Sequence, residues 1–319
     1  MLSNVESGKG KNVPTLINIC GSGRSGSTML DVMLGNSPDA FSCGEVVEWF
    51  RPWRTHAFEI DYPRHGEPCT VWDSLKNVPE SRFHTTVARD MNVNFVVDSS
   101  KEICWLIDVQ RWAAAQGHKV FNLLIWKNPV DMAYSRWKQG DRDLSRWRTG
   151  FKKYHNKILE IGLPFFAVNY NDLVNDPSRK LAEICTVIGM PYFEGKERFW
   201  EKKHCHLFGS LGIRRQIEAG HSVIQAKKPY PPEFQALVGF VKEQVSADEK
   251  LGQILKILEK NNVASSVNKN LADHQFHHKV YPWWYYAKRL VRFFQRYFPK
   301  EFDPFAREAI ETVPLRTKE

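Results

Sequence analysis

The segment GSGRSGST, which begins at Gly21, combines glycines, hydroxyl side chains and one basic residue in the manner of a phosphate-binding loop. It follows a short apolar run and precedes a run with helical character, and in this order backbone N–H groups at a helix N-terminus can bind an anion. Loops that bind nucleoside triphosphates have the pattern GxxxxGK followed by Ser or Thr. Gly26 and Thr28 match that pattern, but Ser27 occupies the lysine position and the basic residue is Arg24. The segment therefore predicts an anion site in which ATP hydrolysis or kinase chemistry is disfavoured. The alternative is a tight turn without a ligand.

A second signature lies further along the chain in LLIWKNPVDMAYS, where Pro129 and Ser135 follow Lys127 by two and eight residues. Together with the first loop, it resembles the paired signatures of the superfamily of sulfotransferases that use 3′-phosphoadenosine-5′-phosphosulfate (PAPS). The family has arginine where this chain has Lys127, which keeps the charge but loses the planar fork of donors. A third segment, VNYNDLVNDP, resembles the family's Tyr-Glu-Asp-Leu junction, with Asn171 in place of the glutamate. The resemblance covers residues 14–215.

The resemblance implies an enzyme that moves the sulfuryl group of PAPS to an acceptor hydroxyl by in-line transfer. It would release 3′-phosphoadenosine-5′-phosphate (PAP) and require no metal. Arg24 would hold the 5′-phosphosulfate and stabilise the leaving oxygen, whereas Lys127 and Ser135 would bind the 3′-phosphate. Arg214 would also lie near the 3′-phosphate, the alternative being an ordinary surface arginine. The implied cofactor-binding residues are Gly21, Ser22, Gly23, Arg24, Ser25, Gly26, Ser27, Thr28, Lys127, Ser135 and Arg214.

The acceptor hydroxyl must lose a proton, and Glu45 in FSCGEVVEW is the predicted general base. This segment resembles the Gly-Glu segment of protein-tyrosine and carbohydrate sulfotransferases of the bacterial and Golgi types, rather than the cytosolic enzymes that use histidine. Glu48 is the substitute base, and a surface or capping role is the alternative for Glu45. Lys101 in VVDSSKEICWL resembles a lysine that approaches the sulfuryl group, and it is predicted to stabilise the transition state. Its alternative is a solvent-exposed lysine in the first turn of a helix.

The predicted acceptor is a carbohydrate, a glycolipid or another small molecule with a hydroxyl group. The net charge of +9 favours anionic ligands. Basic residues around Trp137 and Trp147 indicate either sugar stacking or a solvated basic helix. No nucleic-acid recognition module is indicated, so nucleic acid is not a predicted partner. His204 and His206 are too few for a metal site, and the six cysteines indicate no disulfide scaffold. The sequence leaves the oligomeric state open.

These groups need a scaffold, and the chain alternates between apolar runs and helical patterns. Strands are predicted at residues 15–20, 93–97, 120–126 and 165–169. Helix boundaries are predicted at Ser27, at a capping box of Ser99 and Glu102, at Gly117, at Asn128 with Pro129, at Asp176 with Pro177, and around residues 144–161. Residues 51–92 lack a clear period and are predicted to cross the sheet edge. The alternation predicts an α/β fold, a P-loop-type three-layer sandwich with a central parallel sheet flanked by helices.

The chain is predicted to have a flexible N-terminal tail (1–13), a catalytic domain (14–262) and a helical, aromatic and basic C-terminal extension (263–319). Helical spacing in YPWWYYAKRLVRFFQRYFPK would place Trp283, Ala287, Leu290, Val291, Phe294 and Phe298 on one face, and Lys288, Arg292, Gln295 and Arg296 on the other. Such a helix either docks on its own core or a partner subunit, or lies in a membrane interface.

Two other functions compete with sulfuryl transfer. One is a P-loop NTPase or small-molecule kinase, which Ser27 disfavours. The other is a non-catalytic basic protein that binds membranes or glycans, which the presence of Arg24, Glu45 and Lys127 together disfavours. No apolar run reaches the roughly 18 residues of a membrane-spanning helix, and the N-terminus lacks an apolar signal core. The predicted location is the cytoplasm, with peripheral membrane contact through the C-terminal helix, and the Golgi lumen is the less favoured alternative.

Overall fold

The computed structural model describes residues 13–51, 70–75, 77–221, 229–266 and 281–297. The predicted N-terminal tail lies outside these ranges, apart from Val13. The chain divides into two compact units, Met1–Phe276 and His277–Glu319. This division comes later than the predicted boundary after residue 262, because Val263 is fully buried in the core of the first unit and Asn262 bridges to Ala167.

Strands and helices alternate through the first unit. The strands of the described ranges are β1 (Thr15–Cys20), β2 (Ala40–Ser42), β3 (Phe95–Asp98), β4 (Lys119–Trp126) and β5 (Phe166–Asn169). The helices before β4 are α1 (Ser27–Gly35), α2 (Val47–Phe50), α3 (Val71–Leu75), α4 (Phe83–Asp90) and α5 (Ile103–Gln116). Those after it are α6 (Pro129–Trp137), α7 (Arg146–Glu160), α8 (Tyr170–Asn175), α9 (Pro177–Ile188), α10 (Leu211–Glu218), α11 (Pro232–Gln235), α12 (Val238–Ala247) and α13 (Glu249–Lys260). The second unit contains α14 (Trp283–Tyr297).

The described strands form one parallel sheet in the order β2-β3-β1-β4-β5. Thr15 of the central strand β1 lies opposite Phe95 of β3 on one side and Lys119 of β4 on the other. Because all strands run in the same direction, the loops that follow β1, β3 and β4 leave from one edge of the sheet. The strand order reverses at β1, which is where open α/β sheets form a ligand crevice. The predicted α/β sandwich with a central parallel sheet is confirmed.

Alternate residues of the strands pack into two apolar clusters. Ile17 and Ile19 of β1 pack in one cluster with Leu30 of α1, whereas Leu16 packs in the other with Trp105 of α5. This division follows from the two-residue period of a strand. Each large apolar side chain that is buried contributes about 1.5–3 kcal/mol. Since α1 is buried along its whole length, the core fixes the position of the loop that precedes it.

Several predicted helix boundaries are confirmed by their caps. The Asn128 side chain accepts the N–H of Val130 at 3.0 Å at the start of α6. Asp176 accepts the N–H of Arg179 at 3.2 Å at the start of α9. Gly117 ends α5 in the left-handed conformation, with φ of 72°. These signals are local in sequence, and the tertiary structure preserves them.

The predicted capping box of Ser99 and Glu102 is wrong. Glu102 is itself the N-cap of α5, and its carboxylate accepts the N–H of Trp105 at 2.7 Å. Ser99 Oγ instead donates to Asp31 at 2.6 Å. Strand β2 was also missed, because three residues are too few to show an alternating pattern. The error at Ser99 arises because its hydroxyl has a partner distant in sequence, Asp31.

Candidate active site

The phosphate loop, residues 21–28, leaves the carboxyl end of β1 and leads directly into α1. Gly26 caps α1 from the left-handed conformation, with φ of 103°, and a side chain there would overlap the ring of Tyr170. The glycine is therefore required on both conformational and steric grounds. Arg24 also has a left-handed backbone, with φ of 76°. Such conformations are uncommon for residues other than glycine and cluster at functional sites.

Two hydroxyls of the phosphate loop are buried without a hydrogen bond. Ser25 is fully buried and Ser22 nearly so, and neither Oγ atom has a partner among the residues that the structure describes. Burying a polar atom without a partner costs free energy, so such groups in a native structure call for an explanation. Together with the backbone N–H groups at the start of α1, these hydroxyls are suited to bind an anion.

A lysine connects the predicted base to the phosphate loop. Lys101 Nζ donates to Ser27 Oγ at 3.1 Å and forms an ion pair with Glu45 Oε1. The side chains of Lys101 and Glu45 are 17% and 22% exposed, so each is half-buried and still reachable by a ligand. The structure thus brings together three of the predicted site residues. Lys101 is therefore not the solvent-exposed lysine of its alternative interpretation, and Glu45 is not a fully exposed surface carboxylate.

Backbone contacts from two other segments fix the position of Glu45. Its N–H donates to the carbonyl of Leu207 at 2.9 Å, and the Gly44 carbonyl accepts the N–H of Ser99 at 2.9 Å. Gly44 has φ of 75°, and a side chain there would overlap the backbone of Leu207. The Gly-Glu pair therefore has a steric basis: only glycine lets the chain at Leu207 approach closely enough to hold the carboxylate-bearing residue.

Tyr154 of α7 bridges the phosphate loop and the backbone at Lys101. Its hydroxyl accepts the N–H of Gly21 at 3.0 Å and donates to the carbonyl of Lys101 at 3.0 Å. Lys101 has a left-handed backbone with φ of 60°, a conformation that costs about 1–3 kcal/mol and persists only where its surroundings hold it. Sequence reasoning missed Tyr154, since no motif links it to either partner.

Replacing Tyr154 with phenylalanine would leave both backbone groups without this partner. We expect the free energy of unfolding, measured by urea denaturation, to fall by about 1–3 kcal/mol. Tyr192, which is 38% exposed, provides the matched control. Tyr192→Phe should change the free energy of unfolding by less than about 0.5 kcal/mol. Equal effects of the two variants would show that the Tyr154 hydroxyl does not support the loop.

The second phosphate signature lies beside the arginine of the loop. Arg24 Nε is 3.5 Å from Ser135 Oγ, at the outer limit of a hydrogen bond. Lys127 Nζ lies 3.8 Å from the centroid of the Tyr170 ring. Burial lowers the pKa of Lys127 to about 8; Asp131 opposes this shift, and the charge of Arg24 adds to it. The structure thus brings Arg24, Lys127 and Ser135 together, with Arg24 next to the residues predicted to hold the 3′-phosphate.

Asn171, which stands where the resemblance expects glutamate, fixes the start of α6. Its Oδ1 accepts the N–H of Asn128 at 3.2 Å, and its Nδ2 donates to Asp131 at 2.6 Å. The other oxygen of Asp131 accepts a hydrogen bond from the Tyr230 hydroxyl at 2.5 Å. An amide can accept and donate at once, whereas a carboxylate only accepts. At this position asparagine can therefore donate a hydrogen bond to the carboxylate of Asp131, which a glutamate carboxylate could not do.

A buried polar cluster close to Glu45 was also missed. Ser42 Oγ lies 2.8 Å from His206 Nδ1, Asp31 Oδ2 lies 3.4 Å from the same nitrogen, and Ser99 Oγ donates to Asp31 at 2.6 Å. Burial raises the pKa of Asp31 to about 7 and lowers that of His206 to about 3. The four residues come from four separate segments of the chain, so no local spacing could indicate the cluster.

Arg214 is buried in α10 and is not the ordinary surface arginine of the alternative interpretation. The segment before it reaches the phosphate loop, since the N–H of Ser210 donates to Thr28 Oγ1 at 3.1 Å. The positive charge of Arg214 is among the causes, after burial, that lower the pKa of His206. Arg214 therefore lies on the same side of the molecule as the loop, and its contact with a 3′-phosphate stays a prediction.

The basic segment around Trp147 is partly structural. Trp147 is only 4% exposed, so its ring cannot stack on a sugar. Lys152 and Arg148 form ion pairs with Asp248 at 2.5 and 3.7 Å. Trp137 is half-buried, with the guanidinium of Arg142 4.7 Å from its ring centroid. Of the two tryptophans considered for sugar stacking, only Trp137 keeps that possibility.

His204 and His206 have different partners, because His204 Nε2 lies 2.8 Å from the carbonyl of Phe199. Within the described ranges, no group of three His, Cys, Asp or Glu residues is placed to hold a metal ion. Cys205, which lies between the two histidines, is disulfide-bonded. The spacing of the cysteines did not indicate this bond.

Comparisons with known proteins found a similar structure but no similar sequence. No protein-family model and no curated protein matches the chain. The sulfotransferase domain of the Synechococcus PCC 7002 olefin synthase is 17% identical, with 75% of this chain and 97% of that domain covered and a TM-score of 0.52. The sulfotransferase domain from the curacin biosynthetic pathway is 17% identical, covering 74% of this chain and 99% of its own, with a TM-score of 0.47. A sulfotransferase from Alicyclobacillus acidocaldarius is 15% identical, covering 75% of this chain and 95% of its own, with a TM-score of 0.38. The first of these likenesses shows that the chain has the fold of a sulfotransferase domain.

Proposed function

We propose that the protein is a sulfotransferase that moves the sulfuryl group of PAPS to the hydroxyl group of an acceptor. The observation that carries this proposal is the contact of Lys101 with both Glu45 and Ser27. It places a carboxylate able to accept a proton, and a cation able to stabilise negative charge, at the phosphate loop. The fold and the absence of the nucleotide-triphosphate lysine at Ser27 support the same function.

In the proposed reaction, the residues of this chain position the reactants and handle the proton. PAPS, when bound, would supply the sulfuryl group, whose bond to the phosphate oxygen breaks as the acceptor oxygen bonds to sulfur. Glu45 would orient the acceptor hydroxyl and take its proton. Lys101 would stabilise the negative charge that develops on the leaving oxygen. The hydroxyls of Ser22 and Ser25, with the loop N–H groups, would hold the anionic group in line for transfer.

Lys127 and Ser135 would bind the 3′-phosphate and so distinguish PAPS from ATP, whereas Arg24 would hold the 5′-phosphosulfate. The test is calorimetric titration of the protein with PAP, 5′-AMP and Mg²⁺-ATP. Selective binding of PAP would support the proposal, because only PAP carries a 3′-phosphate. Preference for Mg²⁺-ATP, or binding of none of the three, would overturn it and favour a kinase or a non-catalytic protein.

The lowered pKa of Lys127 makes PAP binding sensitive to pH. Below pH 8 the ammonium group is charged, and above it the charge is lost in the free protein. We therefore expect PAP affinity to fall by up to about tenfold per pH unit above pH 8. Lys127→Arg should remove this fall, since arginine keeps its charge.

The control ligand for this measurement is 5′-AMP, which has no 3′-phosphate. Its affinity, followed by calorimetry over the same pH range, should change little. An equal decline for both ligands, or an unchanged decline in Lys127→Arg, would place the titrating group elsewhere.

We propose a carbohydrate or glycolipid hydroxyl as the acceptor, with other small hydroxyl compounds as the alternative. Half-buried Trp137 beside Arg142 supports this choice, because an aromatic ring and a cation suit an acidic sugar. The test is transfer from radiolabelled PAPS to a panel of desulfated glycans, glycolipids and phenols. Labelling of phenols alone would contradict a carbohydrate acceptor while leaving sulfuryl transfer intact.

A further inference from the structure

Helix α14 presents an apolar surface that the protein leaves exposed. Trp283 is 79% exposed and Leu290 58% exposed, and Tyr286 and Val291 are about half exposed. At about 100° per residue, these side chains and Ala287 fall within one arc of the helix. We call these five residues the apolar arc. Single exposed apolar residues are common, whereas a contiguous group on one helix face marks an interaction surface.

The opposite side of α14 is the side that is buried. Tyr285 is fully buried, with its ring centroid 4.9 Å from that of Tyr281. Arg289 lies over the Tyr285 ring at 5.8 Å and donates from Nη1 to the tyrosine hydroxyl at 3.3 Å. The side chains of the apolar arc are thus exposed, whereas Tyr285 on the opposite side of the helix is buried.

The positive charges beside the apolar arc indicate which kind of partner it binds. Between Asp273 and Glu301 the sequence contains no acidic residue and six lysines and arginines. Two of these, Lys288 and Arg289, are exposed and flank the apolar arc on its two sides. An apolar arc rich in aromatic residues and bordered by cations is typical of a helix that lies in the interface of an anionic membrane. The aromatic rings would reach the headgroup region, and the cations would contact acidic lipids.

We propose that α14 binds the surface of a membrane that contains anionic lipids, with the apolar arc inserted at the boundary between headgroups and acyl chains. The helix lies on the membrane and does not cross it: no described helix is long and apolar enough to span a bilayer. Since Trp283 and Leu290 lie one above the other along the arc, both would insert together. This proposal does not depend on the catalytic function.

The test is sedimentation of the full-length protein with vesicles of phosphatidylcholine alone and of phosphatidylcholine mixed with phosphatidylserine. We expect binding to the mixed vesicles and much weaker binding to the neutral ones. Lys288→Gln should weaken binding to the mixed vesicles by about fivefold. Trp283→Ala should weaken it by at least about tenfold, given the apolar area removed.

A matched control is available in the first unit. Phe240 is 50% exposed and lies on α12, away from the apolar arc in sequence, so Phe240→Ala should bind vesicles as the wild type does. Equal binding to both kinds of vesicle, or equal loss in Phe240→Ala and Trp283→Ala, would overturn the proposal. So would the absence of vesicle binding together with self-association that Trp283→Ala abolishes, because that result identifies the apolar arc as an interface between copies of the chain.

Discussion

Replacing Glu45 with glutamine is expected to lower the turnover number of sulfuryl transfer by about 10³-fold, within the range of general base catalysis. Glutamine keeps the size of the side chain and can still accept a hydrogen bond from Lys101, but it cannot take the proton of the acceptor. PAP affinity should change by less than about threefold, because the lost interaction acts on the proton in the transition state. Single-turnover kinetics with the best acceptor of the panel, together with calorimetry for PAP, measures both quantities.

Glu48→Gln is the matched control for Glu45→Gln. Glu48 lies in α2, one helical turn after Glu45, and its N–H donates to the Glu45 carbonyl at 3.0 Å. The two variants thus make the same chemical change in neighbouring positions, and Glu45 forms an ion pair with Lys101. Full turnover in Glu48→Gln together with loss of turnover in Glu45→Gln would support Glu45 as the base. Loss of turnover in Glu48→Gln alone would move the base to Glu48, and full turnover in both variants would exclude each of them.

Replacing Lys101 with methionine is expected to lower the turnover number by about 10²–10³-fold, the effect of removing one preorganised donor from developing charge. Methionine has a similar length, so the left-handed turn and the contact of its carbonyl with Tyr154 can persist. What is lost is the positive charge between Glu45 and Ser27. Turnover of PAPS under single-turnover conditions measures the effect.

Lys153→Met is the control for Lys101→Met, because Lys153 is an exposed lysine on α7. It should keep wild-type turnover. Urea denaturation of both variants separates a loss of catalysis from a loss of folding, since a misfolded Lys101→Met protein would also lose PAP binding. A Lys101→Met protein that folds, binds PAP and turns over at the wild-type rate would remove Lys101 from the transition state.

The sequence by itself was sufficient to predict the fold class and four of the five strands that the structure describes. The apolar run at residues 15–20 was predicted as a strand and is β1, and the Asn128-Pro129 and Asp176-Pro177 pairs begin α6 and α9 as predicted. These signals were readable because strand burial and helix capping depend on residues a few positions apart. The phosphate loop could also be predicted from the sequence, because its glycines and the start of α1 are contiguous in the chain.

The assembly of the site was decided by the tertiary structure. Glu45 and Lys101 meet because β2 pairs with β3, which brings the chain after Ser42 alongside the chain after Asp98. Sequence reasoning named both residues from a resemblance, but it could not place them in contact. Sequence reasoning also interpreted Ser99 as a helix cap, whereas the Ser99 hydroxyl donates a hydrogen bond to the buried carboxylate of Asp31 in α1.

Local pattern thus determined which elements form and which segments carry anion-binding and proton-accepting groups. Long-range packing determined which of those groups touch. Tyr154, Asp31 and His206 show the limit most clearly, because each has its partners in segments far away in the chain. The physical reason is that a buried polar group takes whatever partner the fold places within hydrogen-bonding distance, and that distance is set by the packing of the sheet and helices rather than by spacing along the sequence.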